Sequence, residues 1–155
     1  MEIKDRESHR VAVTAIIYKD GKYLIAKRSP TKKRFPNKWT VPGGGLEVDD
    51  YMHDKPSTTA GQWYYAIEKT LRREVKEEVN LEIEKPQYLL DLAFISEQGQ
   101  PCLVLSYYAE YKSGEVKLDE DSCDYKWVSL IEAKDYDLID GIWEEIEMVD
   151  RIINK

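Results

Sequence analysis

Three carboxylates, Glu74, Glu77 and Glu78, lie in the run R-E-V-K-E-E-V. At about 100° per residue in a helix, they fall within an arc of about 100° on one face. Like charges one turn apart oppose a helix by a few tenths of a kcal/mol per pair, so a cation should offset them. A cluster of hard oxygen donors suits Mg2+, Mn2+ or Ca2+. A merely solvated acidic face is the plainer reading of such a run. The neighbouring residues argue for the ion: Arg73 precedes Glu74, Val75 and Val79 supply an apolar side, and a P-G-G-G turn stands upstream at Pro42–Gly45.

These residues need a helix and a sheet to hold them. The spacing predicts a helix from near Gln62 to Val79, with Ile67, Leu71 and Val75 as its apolar stripe beside the Glu arc. Val11–Tyr18 alternates and is β-branched, Asp20-Gly21 reads as a hairpin turn, and Tyr23–Ala26 returns as a second strand. Trp39–Val41 is a short extended piece. Tyr88–Ile95 and Cys102–Tyr111 read as strands joined by a turn at Gln98–Pro101, and Tyr125–Leu130 as a further strand. Ile142, Ile146, Val149 and Ile153 mark an amphipathic helix over Asp140–Ile153. Ser29–Lys38 is a basic loop, and Asp49–Gly61, with Pro56, Ser57, Thr58 and Thr59, is polar and reads as an inserted loop. The order is α/β, without internal repeats. At 155 residues the chain builds one core, so residues 1–155 are expected to form a single domain.

A formal charge of −7 argues against an extended nucleic-acid surface and leaves only local basic patches, at Lys27–Arg28 and Lys32–Arg34. Met1–Arg10 is charged and carries no apolar stretch, and no run is long enough to span a membrane. Cys102 and Cys123 form no C-x-x-C pair, and His9 and His53 do not suggest zinc. The expectation is a cytoplasmic protein with two reduced thiols and no membrane contact.

The glycine turn and the R-E-V-K-E-E run together resemble the box of the Nudix hydrolase family, G-x5-E-x7-R-E-U-x-E-E-x-G-U, where U is bulky and aliphatic. Gly44, Arg73, Glu74, Val75, Glu77, Glu78 and Leu81 are the matching residues. There are two departures. Gly44 and Arg73 stand 29 positions apart where the box has 14, so about 15 residues are inserted. That displaces the box's first Glu: Asp50 has the right offset from Gly44, Tyr65 the right offset back from Arg73, and Asp50, Glu47 or Glu68 are all open as its replacement. Asn80 stands where the box has Gly, a mild change, since Asn tolerates a left-handed helix end.

The resemblance implies a Nudix fold, an α+β arrangement with a curved mixed sheet between helices. It implies a metal-dependent hydrolase, using Mg2+ or Mn2+, that cleaves a diphosphate bond in a nucleoside diphosphate linked to another group or in a nucleoside triphosphate. Glu74 and Glu78 are the expected direct ligands, with Glu77 direct or through water, and the carbonyl of Gly43 or Gly44 as a further donor. Arg73 orients Glu74. Gly44, Gly45 and Arg28 are the candidates for substrate contact. The general base in this family is a box Glu or a carboxylate on a distant loop; here Glu120 of Asp119-Glu120-Asp121 is first choice, then Asp121, with Glu74 as the box alternative. A base-stacking wall could come from Phe35, Trp39, Trp63, Tyr64, Tyr107 or Tyr108, each equally a core or interface residue. The insertion, approximately Val48–Trp63, is a candidate specificity lid or homodimer contact. The displaced Glu keeps a second reading open, a catalytically weak nucleotide-binding module.

Overall fold

The structure, a computed structural model, describes Glu2 and residues 4–155. Its strands are β1 (Arg10–Lys19), β2 (Lys22–Arg28), β3 (Trp39–Thr40), β4 (Gly43–Gly45), β5 (Glu82–Ile83), β6 (Gln87–Ile95), β7 (Pro101–Ser113) and β8 (Ser122–Val128). Helix α1 spans Ala66–Val79 and α2 spans Ile142–Ile153, with single 3-10 turns at Asp5–Glu7, Val48–Asp50 and Glu132–Asp135. The eight strands form one mixed sheet built around β1. β1 runs parallel to β7, from Arg10 opposite Cys102 to Tyr18 opposite Glu110, and every other pairing is antiparallel.

Alternation along β1 splits the core in two, because successive side chains leave opposite faces. Val13, Ala15 and Ile17 pack with Leu71, Val75 and Val79 of α1, while Ile16 packs with Ile146 and Val149 of α2. The sheet is therefore sandwiched between the two helices, as expected. Asp20 and Gly21 turn the β1–β2 hairpin with φ of +50° and +76°, the conformation a tight hairpin needs.

The sequence reading places most elements within a few residues, but α1 starts four residues later than its periodicity suggests. Tyr65 just before it is left-handed, at φ +61°, which a helix cannot continue through. The residues from Gln62 to Tyr65 instead close the insertion. Ser57 N–H donates to Gln62 O at 2.7 Å, Trp63 Nε1 to Asp54 O at 2.9 Å, and Tyr64 N–H to Ser57 Oγ at 3.1 Å. The Trp63 ring lies 5.3 Å from Tyr51, and Lys69 of α1 pairs with Asp54 at 2.6 Å. The polar insertion is a loop, as composition suggests, but one tied to itself and to the first turns of α1.

Candidate functional site

Strand β4 is the glycine turn itself, and its position explains its composition. Gly43–Gly45 pairs with Ala12–Thr14 of β1, so the turn lies flat against the sheet edge below α1. A Cβ on Gly43 would collide with the Val13 carbonyl and with Thr14, and one on Gly44 would run into the Glu74 carboxylate. Bare backbone is thus required for α1 to bring its carboxylates down onto the turn.

Arg73 holds these parts together. Its Nε and Nη2 grip Asp50, the second contact at 3.1 Å; Nη2 also donates to Gly45 O at 3.0 Å, and Nη1 to Glu74 at 2.8 Å and Glu77 at 3.1 Å. Asp50 is the acid that supports Arg73, while Glu47 meets Asp50 through its backbone N–H and carbonyl and Glu68 pairs with Arg72. The Asp50 side chain is 2% exposed and also accepts from Thr70 Oγ1 at 2.7 Å. Burial works against its charge, but the bonds from Arg73, Glu47 N–H and Thr70, with the guanidinium charge, outweigh it and hold the carboxyl down to about 2. Asp50 also raises the Arg73 pKa.

The two carboxyls expected to meet an ion are arranged differently. Glu74 is buried, and that burial raises its pKa against the pull of Arg73. Glu78 is half-buried and accepts the Gly43 N–H at 3.3 Å. Burial, with the charges of Glu74, Asp119 and Asp121, pushes Glu78 up to about 8, the Gly43 bond opposing. The Glu74 charge is one of those that raise Glu78, so the two carboxyls crowd negative charge where a cation would relieve it. That shortage of positive charge, in an all-oxygen donor set beside bare backbone, fits a hard divalent ion held by Glu74 and Glu78. Among the described residues no three acidic, His or Cys side chains already converge on one point, and Glu77 is exposed and turned to Arg73.

Asp119, Glu120 and Asp121 come to the site by main-chain pinning. Lys117 N–H and Asp119 N–H donate to the free end carbonyls of α1, at Val79 (3.1 Å) and Glu78 (3.3 Å), satisfying groups that a helix terminus leaves open. Asn80, left-handed at φ +60°, lets the chain turn there and donates through Nδ2 to Glu115 O at 3.1 Å. In this loop Asp119 and Asp121 act on Glu78, whereas Glu120 is exposed. Burial, then Asp121 and Glu120, raise the Asp119 pKa. Asp121 pairs with Lys32 at 3.1 Å, and its carbonyl accepts Ser29 N–H at 2.9 Å. Arg28, half-buried, feels the charges of Glu78 and Asp121 and donates to Arg34 O at 2.9 Å. Acidic and basic groups therefore face each other across the end of β2, which suits a metal-bound polyanion.

Sequence reasoning named Asp119 only as a member of its acidic loop and missed Thr70; the fold brings them to Glu78 and Asp50. Among the aromatic candidates, Trp39 is a core residue meeting Tyr136 edge to face, and Trp63 belongs to the insertion. Phe35 is exposed, and Arg34 lies over it and over Phe94, with 5.3 and 4.9 Å to the ring centroids.

A family model described as the NUDIX domain matches residues 8–150. The nucleoside triphosphatase NudI of Escherichia coli K12 is 28% identical over 139 residues, covering 83% of this chain and 88% of that protein. Among solved structures, a MutT NUDIX hydrolase from Burkholderia pseudomallei superposes with a TM-score of 0.72 at 23% identity, covering 92% of this chain and 99% of the other. The NUDIX domain of Shewanella oneidensis NrtR, solved with ADP ribose, gives 0.72 at 18% identity, over 94% and 89% of the two chains.

Proposed function

We propose, from the premise that this chain belongs to the NUDIX domain family and is a hydrolase of pyrophosphate bonds, that it is a magnesium- or manganese-dependent diphosphatase acting on nucleoside triphosphates or on nucleoside diphosphates linked to a second group. The observation that carries this reading is the seating of Glu74 and Glu78 against the Gly43–Gly45 turn, locked by Arg73 and Asp50. Likeness to a nucleoside triphosphatase supports the first substrate class, and the ADP-ribose complex of a structural neighbour supports the second. Asp50 supplies the support that the displaced first Glu of the box would give Arg73, which favours hydrolysis over a binding-only module.

Glu74 and Glu78 would hold the ion, with Glu77 free to join through water once it leaves Arg73. When bound, the ion neutralises diphosphate charge and makes its water more acidic. Arg73 keeps Glu74 oriented, and Asp50 keeps Arg73 in place. Gly44 and Gly45 let the phosphates approach the turn, and Arg28, with Lys32 beside it, meets their remaining charge. For the proton of the attacking water we move the role from Glu120 to Asp119, whose half-buried carboxyl lies beside Glu78 with its pKa raised, whereas Asp121 is tied to Lys32. The free cysteines, Cys102 and Cys123, suit the reducing cytoplasm, and no described helix is long and apolar enough to cross a membrane. Val48, Met52, Tyr64 and Tyr65 are exposed around the insertion and make it a lid or a homodimer contact.

The test is a panel of nucleoside triphosphates and nucleoside diphosphate conjugates with Mg2+, Mn2+ or chelator, scored by released phosphate, pyrophosphate or nucleotide. Metal-dependent release from a member of either class is expected; turnover that persists in excess chelator would reject the reading.

A further inference from the structure

A cleft of about 320 Å³ opens away from the carboxylates, between the ends of β1, β7 and β8 and the residues Gly114–Val116. Lys19, Tyr111, Glu115, Tyr125 and Trp127 line it, with Leu81 as an apolar wall. Lys19 lies five residues along β1 from Thr14, the partner of Gly43, which places the cleft roughly 17 Å from the glycine turn. Nothing in the proposed hydrolysis uses it.

Its walls have a specific geometry. The rings of Tyr111 and Trp127 stand at 87° with centroids 6.1 Å apart, forming a corner. Tyr111 is fixed by its hydroxyl, which donates to Gly114 O at 2.7 Å. Tyr125 and Trp127 are two apart on β8 and so share a face, Tyr125 being 38% exposed. Ring faces carry negative charge density, and two at right angles beside a carboxylate make a receptor for a cation. One cation already sits there: Lys19 Nζ lies 4.3 Å over the centre of the Tyr111 ring. Lys19 is exposed and has a flexible four-carbon stem, so it is free to leave.

We propose that this cleft is a second binding site, separate from the catalytic carboxylates, that takes a small organic cation of the trimethylammonium class, with the Lys19 ammonium as its internal placeholder. A primary ammonium is strongly hydrated and loses that water to meet a ring face. A methylated ammonium is larger and less hydrated, and it fills a corner that Lys19 only covers. Glu115 supplies the balancing charge.

Titrating the full chain with tetramethylammonium chloride or choline chloride, against NaCl at equal ionic strength, tests this through amide and indole NMR shifts. Saturable shifts confined to Lys19, Tyr111, Gly114, Glu115, Tyr125 and Trp127 are expected. Lys19→Ala removes the placeholder and should tighten binding by about threefold to tenfold, while Trp127→Leu should weaken it by at least about that factor. Trp127 also packs against the core, so the exposed Tyr125→Ala is the second variant, expected to weaken binding with unchanged melting. No saturable shift below about 0.1 M ligand, a Lys19→Ala affinity no better than wild type, or binding undiminished in both ring variants would each overturn the proposal.

Discussion

Glu78 is the residue on which the catalytic reading turns. Its carboxyl is raised to about 8 because partial burial and the charges of Glu74, Asp119 and Asp121 outweigh one backbone N–H as its donor. Glu78→Gln is expected to lower turnover about a thousandfold or more, since a proposed ligand to the ion would be lost. The same substitution should leave the metal-free protein as stable or more so at neutral pH. The sign follows from linkage: a raised folded pKa gives stability that is full below the ordinary carboxylate value of 4.5 and is lost as pH rises toward about 8. In chelator, wild-type melting should therefore fall across that interval, and Mg2+ or the Gln variant should flatten the slope; parallel melting curves with and without metal would contradict it. Asp50 has the opposite sign. Its folded pKa is about 2 against 3.8 unperturbed, so its contribution is present above 3.8 and disappears as pH falls through about 2. Asp50→Asn should cost on the order of 1–2 kcal/mol at neutral pH by denaturant titration, removing that acid slope and slackening Arg73 with it. In the acidic loop, Asp119→Asn should reduce kcat more than Glu120→Gln, measured at saturating Mg2+. If Glu120→Gln gives the larger loss, the proton acceptor is the exposed member of the loop after all.

Elements rather than residues decide why some of this site was legible in the sequence. Glu74, Glu77 and Glu78 were readable because their spacing is local and one helix face fixes their relation. The acid that supports Arg73 was left open among three, because closing a 23-residue gap between Asp50 and Arg73 depends on where the insertion puts its ends. The proposed move from Glu120 to Asp119 has a similar origin: the side of the loop that meets Glu78 is set by N–H groups binding the last carbonyls of α1, which no periodicity records. Strand β4 was read only as a turn, since three glycines carry no strand propensity and its pairing with β1 comes from the need to seat Glu74. Asn80 was read correctly as a left-handed helix end, and it makes a clean test at this scale. Asn80→Gly should stay within about 0.5 kcal/mol of wild type, the easier backbone offsetting the lost bond to Glu115 O. Asn80→Ala should destabilise by about 1 kcal/mol in chemical denaturation, because Ala pays the left-handed strain without that bond. Equal stability of the two variants would mean that the helix end is held by the loop rather than by its own conformation.

At the scale of the whole molecule, the insertion is the part of the chain that the fold is expected to tolerate losing. The family spacing between the box acid and the Arg leaves seven residues, and removing residues 51–65 joins Asp50 to Ala66 and leaves residues 66–72, the same seven. What the deletion removes is mostly self-contained: the Tyr51–Trp63 ring contact and the Ser57 bonds lie wholly within it, and Lys69 loses a surface ion pair and the bond from its N–H to Tyr65 O, for which the Asp50 carbonyl becomes the replacement. The core residues Leu71, Val75 and Val79 keep every partner in β1 and β7. Asp50 stays, so the grip on Arg73 and Thr70 can re-form at the head of α1. Shortening a loop lowers its closure cost by about 0.6 kcal/mol per halving, so closure does not oppose the trim. The trimmed chain should therefore fold, melt cooperatively and retain metal-dependent turnover. Its rank order over the substrate panel, or its size by sedimentation, should change, because Val48, Met52, Tyr64 and Tyr65 present their apolar surface only around this segment. Unchanged ranking together with unchanged size would remove both the lid and the dimer contact. Loss of folding would show that the bonds from the insertion to the first turns of α1 are needed to start the helix, and that Tyr65 in its left-handed conformation is a structural cap rather than the scar of an insertion.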